Sequence, residues 1–325
     1  MIIITGGAGF IGSAILWKLN LLGLENIIVV DKLGKDEKWK NLRPLKFYDF
    51  IDKNEFLNIK DKIKNIKVIF HMGACTDTKE KDADFLIKNN FEYSKNLAIF
   101  AISNNIRFIY ASSAATYGDG KYGFSDNEEN LEKLKPLNIY GYSKHLFDLW
   151  IKRNRLLDKV VGLKYFNVFG PNEYHKKDMR SKVIKAYEEI KREGKIKLFK
   201  SYKKEFSNGE QKRDFIYIKD VAEVTLFFFK NPKIFGIFNV GTGIARSWND
   251  LAKAIFSCLN LPLKIEYIDM PDDLKDQYQY FTKANIEKLR KVGCNIKFKS
   301  LEEAIKDYIT NYLKKNYLHL GEETS

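Results

Sequence analysis

The sequence predicts an α/β fold in which a doubly wound parallel sheet is followed by a smaller C-terminal α/β lobe. Three observations predict it. Short apolar runs alternate with helix-length amphipathic stretches through the first two-thirds of the chain. Those runs lack the in–out alternation of a half-exposed strand, so both faces of the sheet are expected to be covered, as in parallel sheets. The first run also leads straight into a glycine-rich turn and a helix.

In order, the expected strands are IIIT (2–5), NIIVVD (26–31), VIFHM (68–72), FIYASS (108–113) and VVGLKYF (160–166). Helices are expected near 10–22, 84–104 and 140–156. Beyond Pro171 the pattern loosens. A helix near 181–193 precedes a polar, loop-rich stretch, KSYKKEFSNGEQKRD (200–214). Strands near 215–218 and 236–240 bracket a helix whose FFFK run (227–230) reads as buried, and a last helical segment spans 300–315.

Composition narrows the class. With 325 residues, 45% of them hydrophobic, the chain can bury a sizeable core. No apolar stretch approaches the ~20 residues of a membrane helix. The opening MIIITGG shows no charged leader ahead of the first strand, which argues against a signal peptide. Cys75, Cys258 and Cys294 are too few and scattered for a disulfide framework or zinc site, so a cytoplasmic location is expected. Four histidines show no metal spacing, and His71 and His175 read as structural. The net charge of +14 is spread along the chain and interleaved with acids, as in KDEKWK and KEKDAD. This is a solvated surface suited to an anionic substrate, and no nucleic-acid partner is expected.

The segment TGGAGFIG, Thr5–Gly12, places Gly6, Gly9 and Gly12 at three-residue spacing between a strand and a helix. Glycines there permit a tight turn and close approach of backbone to a pyrophosphate, at a helix N-terminus that carries partial positive charge. Asp31 ends the second strand about twenty residues on, where an acid can hold a ribose hydroxyl. Asp31 alone favours NAD; Lys32, Lys38 and Lys53 beside it could accept a 2′-phosphate and favour NADP. The expected division is therefore a Rossmann-type nucleotide-binding domain over 1–170, to which the chain returns around 213–245, and a mainly substrate-binding lobe over 171–325.

Tyr140 and Lys144, in YGYSK, stand four residues apart at the start of a helix and so share one face. An ammonium beside a phenol is expected to lower its pKa toward the working pH, making tyrosine a general acid/base. Ser113, in SSAATYG, lies at the carboxyl end of a strand, where open α/β sheets bind ligands, and its hydroxyl could share a substrate oxygen with Tyr140. Cys75 reads as packing near the cofactor, since no histidine arrangement makes it a nucleophile. Arg213, in KRDF, could clamp a diphosphate; the alternative is a surface ion pair.

Together, the glycine turn, the strand-end serine and YxxxK resemble the extended short-chain dehydrogenase/reductases. The segments HMGACTDT, PLNIYGYSKHLFD, YFNVFGPNEYHK, KRDFIYIKDVA, IFNVGTG and PDDLKDQYQYFTKAN narrow the resemblance to the ADP-L-glycero-D-manno-heptose 6-epimerase family. The resemblance runs from residue 1 to beyond 280. It implies isomerisation of an ADP-linked heptose for lipopolysaccharide inner-core synthesis, with bound NADP (NAD being the lesser alternative) recycled in each turnover. It also implies a homopentamer with no membrane partner.

By the same resemblance, Tyr140 and Lys176 match the two acid/base residues and Ser113 the assisting hydroxyl. Phe10, Ile11, Asp31, Lys32, Lys38, Lys53, Met72, Gly73, Ala74, Cys75, Thr76, Asn89, Lys144, Val168 and Lys176 match cofactor contacts, with the three glycines of the turn. Asn167, Asp178, Lys185, Phe199, Arg213 and Tyr278, with Ser113, match substrate positions. The chain departs from the family at Tyr174 and Lys177, where glycines are common, at Asp178, where serine is common, and at Gln277, where arginine is expected. Two other readings share the motifs. One is a nucleotide-sugar epimerase or dehydratase acting elsewhere on the sugar, such as C4, which has no need of the His175–Lys176 pair. The other is a non-catalytic NADP-binding sensor, against which stand Tyr140, Lys144 and Ser113.

Overall fold

Ile2, Ile3 and Ile4 show why the first strand is central: Ile2 and Ile4 pack into one apolar core and Ile3 into another, on the opposite face. A computed structural model describes residues 1–275 and 278–323 of the chain. The strands are β1 (Ile2–Thr5), β2 (Ile27–Asp31), β3 (Asp49–Asp52), β4 (Val68–His71), β5 (Arg107–Ser113) and β6 (Val160–Tyr165), followed by β7 (Asn167–Phe169), β8 (Ile196–Phe199), β9 (Lys212–Tyr217), β10 (Gly236–Val240), β11 (Ala245–Ser247) and β12 (Ile265–Ile268). Seven of them form one parallel sheet in the order β10-β6-β5-β4-β1-β2-β3. Helices Phe10–Asn20 and Ile218–Lys230 pack on each other, and helices Tyr93–Ser103 and Ile139–Arg153 lie against β5.

The order of strands reverses direction at β1. From there the chain moves outward to β2 and β3, then returns to β4 on the other side. Such a reversal opens a crevice at the carboxyl ends of the strands. Thr5 pairs with His71 across it, and Met72 donates its N–H to the Thr5 carbonyl at 3.0 Å.

The expected helices and central strands are present, with differences that have physical reasons. Strand β3, DFID, is absent from the sequence reading because it is an edge strand with acids at both ends and only Ile51 buried. The strand expected at 215–218 starts earlier, at Lys212, and belongs to a separate three-stranded sheet, β11-β9-β7. The loop-rich stretch therefore ends before 214. Strand β10 joins the main sheet beside β6, while β8 and β12 form a third small sheet. Helix Trp248–Leu259, also unread, begins at a capping box in which Ser247 and Asp250 satisfy each other's backbone N–H groups. The FFFK run is in a helix as expected, with Phe228 buried and its neighbours partly so.

A polar network is sealed inside this frame. Lys164 on β6 and Asp148 on helix Ile139–Arg153 are fully buried and paired at 2.6 Å. Lys164 also donates to Thr116 Oγ1 at 2.7 Å, while Asp148 accepts from Tyr110 at 2.9 Å and Ser112 at 2.7 Å. The network thus locks helix Ile139–Arg153 to both β5 and β6. Removing one member strands the other charge in a low-dielectric core. Lys164→Met is expected to lower unfolding free energy by about 3–5 kcal/mol in urea titration. Adding Asp148→Asn should restore part of that loss by neutralising the stranded carboxylate. A Lys164→Met protein with an unchanged urea midpoint would refute the assignment.

Candidate active site

The glycine turn is shaped by two backbone contacts that no side chain could share. Gly6 takes φ +69°, and a Cβ there would lie 2.6 Å from Gly73 Cα. A Cβ on Gly12 would lie 2.1 Å from the Gly6 carbonyl oxygen. The cradle left above helix Phe10–Asn20 suits a ligand that approaches bare backbone N–H groups, as a pyrophosphate does.

Asp31 closes the same turn. One carboxylate oxygen accepts from Ala8 N at 3.0 Å; the other accepts from Lys32 N at 2.7 Å and Lys38 Nζ at 2.8 Å. Lys53 donates to Asn89 Oδ1. Burial lowers its pKa, and the charges of Lys32 and then Lys38 lower it further, against Asp31 and Asp52. The three lysines singled out in the sequence therefore share one electrostatic neighbourhood around Asp31.

Two adjoining cavities run from this turn, of about 520 Å³ and about 350 Å³. Phe10, Ile11, Met72, Ala74, Thr76, Lys176 and Met179 wall both. The larger is lined by Gly6, Gly9, Gly12, Asp31, Lys38, Gly73, Cys75 and Asp178; the smaller by Ser113, Tyr140, Lys144, Asn167 and Val168. Most of the candidate residues thus meet in one cleft. Lys32, Lys53 and Asn89 stand outside its walls, behind Asp31.

Tyr140 and Ser113 both line the smaller cavity, and Lys144 donates to the Ala111 carbonyl on β5 at 2.8 Å. Burial lowers the Lys144 ammonium to about 8, with Asp148 acting in the opposite direction. The expected depression of the Tyr140 phenol by Lys144 is not met. Burial pushes this phenol up, with Ser113 acting in the opposite direction. Across the cleft, Lys176 lies over the Phe10 ring at 5.4 Å and is lowered by burial, with Glu173 opposing.

The remaining substrate candidates form a layer at the far end. Arg213 is buried between the rings of Trp248, at 5.6 Å, and Tyr278, at 5.1 Å, and Phe199 packs edge-on to Tyr278 at 6.2 Å. Trp248 lines the smaller cavity and donates to the Tyr278 hydroxyl at 2.8 Å. Among the described residues, Arg213 forms no ion pair, and its side chain is buried. Its guanidinium donates to the Lys212 carbonyl, while Asp214 accepts from Thr242, Gly243 and Ala284 instead. Lys185 donates to the Asp178 carbonyl. Gln277 lies outside the described residues.

Two contributors had no signal in the sequence reading. Asn90 sits on a π-helical turn, Ile87–Glu92, and grips Cys75 through both its N–H and its carbonyl, at 2.9 Å each. Such turns occur often at functional sites but have no sequence signature. Trp248 was hidden with its helix, although the S-x-x-D capping pattern at 247–250 could have found it. His71 bridges Thr5 and Ser94 at 2.6 and 2.8 Å, and burial lowers it to about 3, which makes it structural.

Residues 2–241 match the model of the NAD dependent epimerase/dehydratase family. Two relatives are ADP-L-glycero-D-manno-heptose-6-epimerases. That of Nitratidesulfovibrio vulgaris (strain DP4) is 51% identical over 96% of this chain and 98% of its own length. That of Fusobacterium nucleatum subsp. nucleatum is 50% identical over 98% of this chain and 100% of its own. The crystal structure of the Helicobacter pylori ADP-L-glycero-D-manno-heptose-6-epimerase superposes with a TM-score of 0.81 at 30% identity, covering 95% of this chain and 94% of that one. The chain belongs to this epimerase family.

The epimerase carries strain beside its cleft. Lys177, one of the departures from the family pattern, has φ +48° and ψ −122°, a conformation that favours glycine. A lysine held there stores about 1–3 kcal/mol. Lys177→Gly should raise the unfolding free energy by about 1 kcal/mol, measured in urea, since relief of strain is partly offset by glycine's greater unfolded-state entropy. A fall in stability would show that the lysine side chain contributes more than its backbone costs.

Proposed function

We propose that the epimerase inverts C6 of the heptose in ADP-D-glycero-D-manno-heptose, giving ADP-L-glycero-D-manno-heptose for lipopolysaccharide inner-core synthesis. The observation that carries the proposal is that Tyr140 and Lys176, from separate elements, line one cleft beside a dinucleotide turn. A bound nicotinamide supplies removal and return of one hydride at C6. The protein's own groups must then move the O6 proton.

In this reading Tyr140, aligned by Ser113, exchanges the proton on one face of C6, and Lys144 holds the cofactor ribose. Once C6 is an aldehyde, a half-turn about C5–C6 presents its other face without moving the sugar ring. The carbonyl oxygen then points away from Tyr140, and Lys176 exchanges the proton there. A lysine lowered by burial suits that task, because its proton is easily given up and regained. Arg213, stacked between Trp248 and Tyr278, would meet the ADP diphosphate with its remaining N–H groups, with Phe199, Asn167, Asp178 and Lys185 along the same path. The family resemblance adds a cytoplasmic homopentamer.

The lysines around Asp31 favour NADP in this reading, because cations beside that ribose could accept a 2′-phosphate. Protein purified without added nucleotide is expected to release NADP on denaturation, measured by enzymatic cycling, and to turn over unaided. Release of NAD alone would refute the role of Lys32, Lys38 and Lys53.

Tyr140→Phe and Lys176→Met should each reduce epimerisation, followed by NMR, by about 10²–10⁴-fold while the bound cofactor is kept. Lys177→Met should largely spare it. Near-normal turnover in Lys176→Met would leave Tyr140 serving both faces and end the two-base scheme.

A further inference from the structure

The segment that carries Lys176 is held from behind by a buried side chain, Asn41. Its Nδ2 donates to the Ala8 carbonyl in the glycine turn at 2.9 Å and to the Asn172 carbonyl at 3.1 Å, and it stands 3.3 Å from His175 Nδ1. Two carbonyls on one side fix the amide's orientation, leaving Oδ1 on the other. His319 Nδ1 lies 2.8 Å from Oδ1, so that ring nitrogen carries the hydrogen and donates it. One amide therefore joins the dinucleotide turn, the Lys176 segment and the end of the chain.

Two further ties run in parallel. Asn172, buried at φ +78°, donates from Nδ2 to Ser13 Oγ at 2.9 Å and accepts at Oδ1 from Leu320 N at 2.9 Å. Leu320 is itself fully buried in the main core. Tyr174 donates its hydroxyl to the Leu318 carbonyl at 2.8 Å and meets the His319 ring edge-on at 5.1 Å.

We infer that residues 317–320 form a brace that positions Lys176 against the dinucleotide turn, with Asn41 as its central positioning residue. The inference rests on the two-base reading of Lys176 and extends it. Neither Asn41 nor His319 lines the two cavities of the cleft. Their effect must pass through the backbone at 172–176. Tyr140 is anchored elsewhere, by helix Ile139–Arg153 and β5, so the brace acts on one proton-transfer face and not the other.

The test compares the two faces. Full-length Asn41→Ala and His319→Ala are assayed for epimerisation of ADP-D-glycero-D-manno-heptose and for hydride exchange with a C6 aldehyde analogue on the Tyr140 side. Misplacement of a reacting group by a remote change costs on the order of 10²-fold. That loss is expected in epimerisation, with aldehyde exchange and cofactor content kept in His319→Ala, whose side chain does not touch the dinucleotide turn. His319→Asn, whose amide nitrogen can stand in for Nδ1, should restore epimerisation. Equal loss of both activities, or full epimerisation in both alanine variants, overturns the brace. If Asn41→Ala does not fold, His319→Ala and Tyr174→Phe carry the same comparison. Lys176→Met is run beside them: full activity there defeats the two-base reading itself, whereas an inactive Lys176→Met with active Asn41→Ala defeats the brace alone.

Discussion

The close backbone approach of Gly6 to Gly73 is the constraint on which the rest of the molecule depends. It exists because β1 and β4 are neighbours at the reversal of strand order, so the turns leaving them are forced together. Any larger residue at Gly6 would push the two turns apart, and the cleft floor formed by Gly6, Gly73 and Ala74 would open. Asp31 and Asn41 then fasten the turn from two further directions, through Ala8 N and Ala8 O. A single residue's peptide groups thus link β2, the turn and the Lys176 segment.

Cations in and around the site are withdrawn from water. Lys53, Lys144, Lys176 and Arg213 are all lowered by burial. Desolvated positive charge is costly when nothing answers it, and an anionic dinucleotide or nucleotide sugar answers it. The overall charge of +14 says little of this, since most of that charge is solvated. What matters is where four cations are withdrawn from water. The same burial raises the Tyr140 phenol.

After the variants of Lys164, Lys176 and Asn41, the limits of sequence reading can be stated residue by residue. The central strands were legible because strands buried on both faces are continuous apolar runs, as IIIT and IIVVD are. Edge strand β3 and the short strands of the small sheets were not, because partial exposure lets polar residues into them. At the site, the glycine turn, Asp31, Tyr140 and Lys144 were legible because each is tied to a fixed spacing within one or two elements. Asn90, Asn41 and His319 were not, since their partners lie elsewhere in the chain and no spacing relates them.

The sequence by itself determined the fold class, the dinucleotide turn and the family, because these depend on local patterns: apolar periodicity, glycines at fixed offsets, and motifs in a fixed order. Tertiary structure alone decided the protonation chemistry and the supports behind it. Burial pushes the Tyr140 phenol up and Ser113, on strand β5, acts against it, and neither influence is written in the spacing of Tyr140 and Lys144. Lys176 faces the cleft because residues 131 positions apart, Asn41 and Asn172, meet through one amide. Local sequence records spacing along the chain. Desolvation and long-range hydrogen bonds depend on distances through space, which only the folded chain defines.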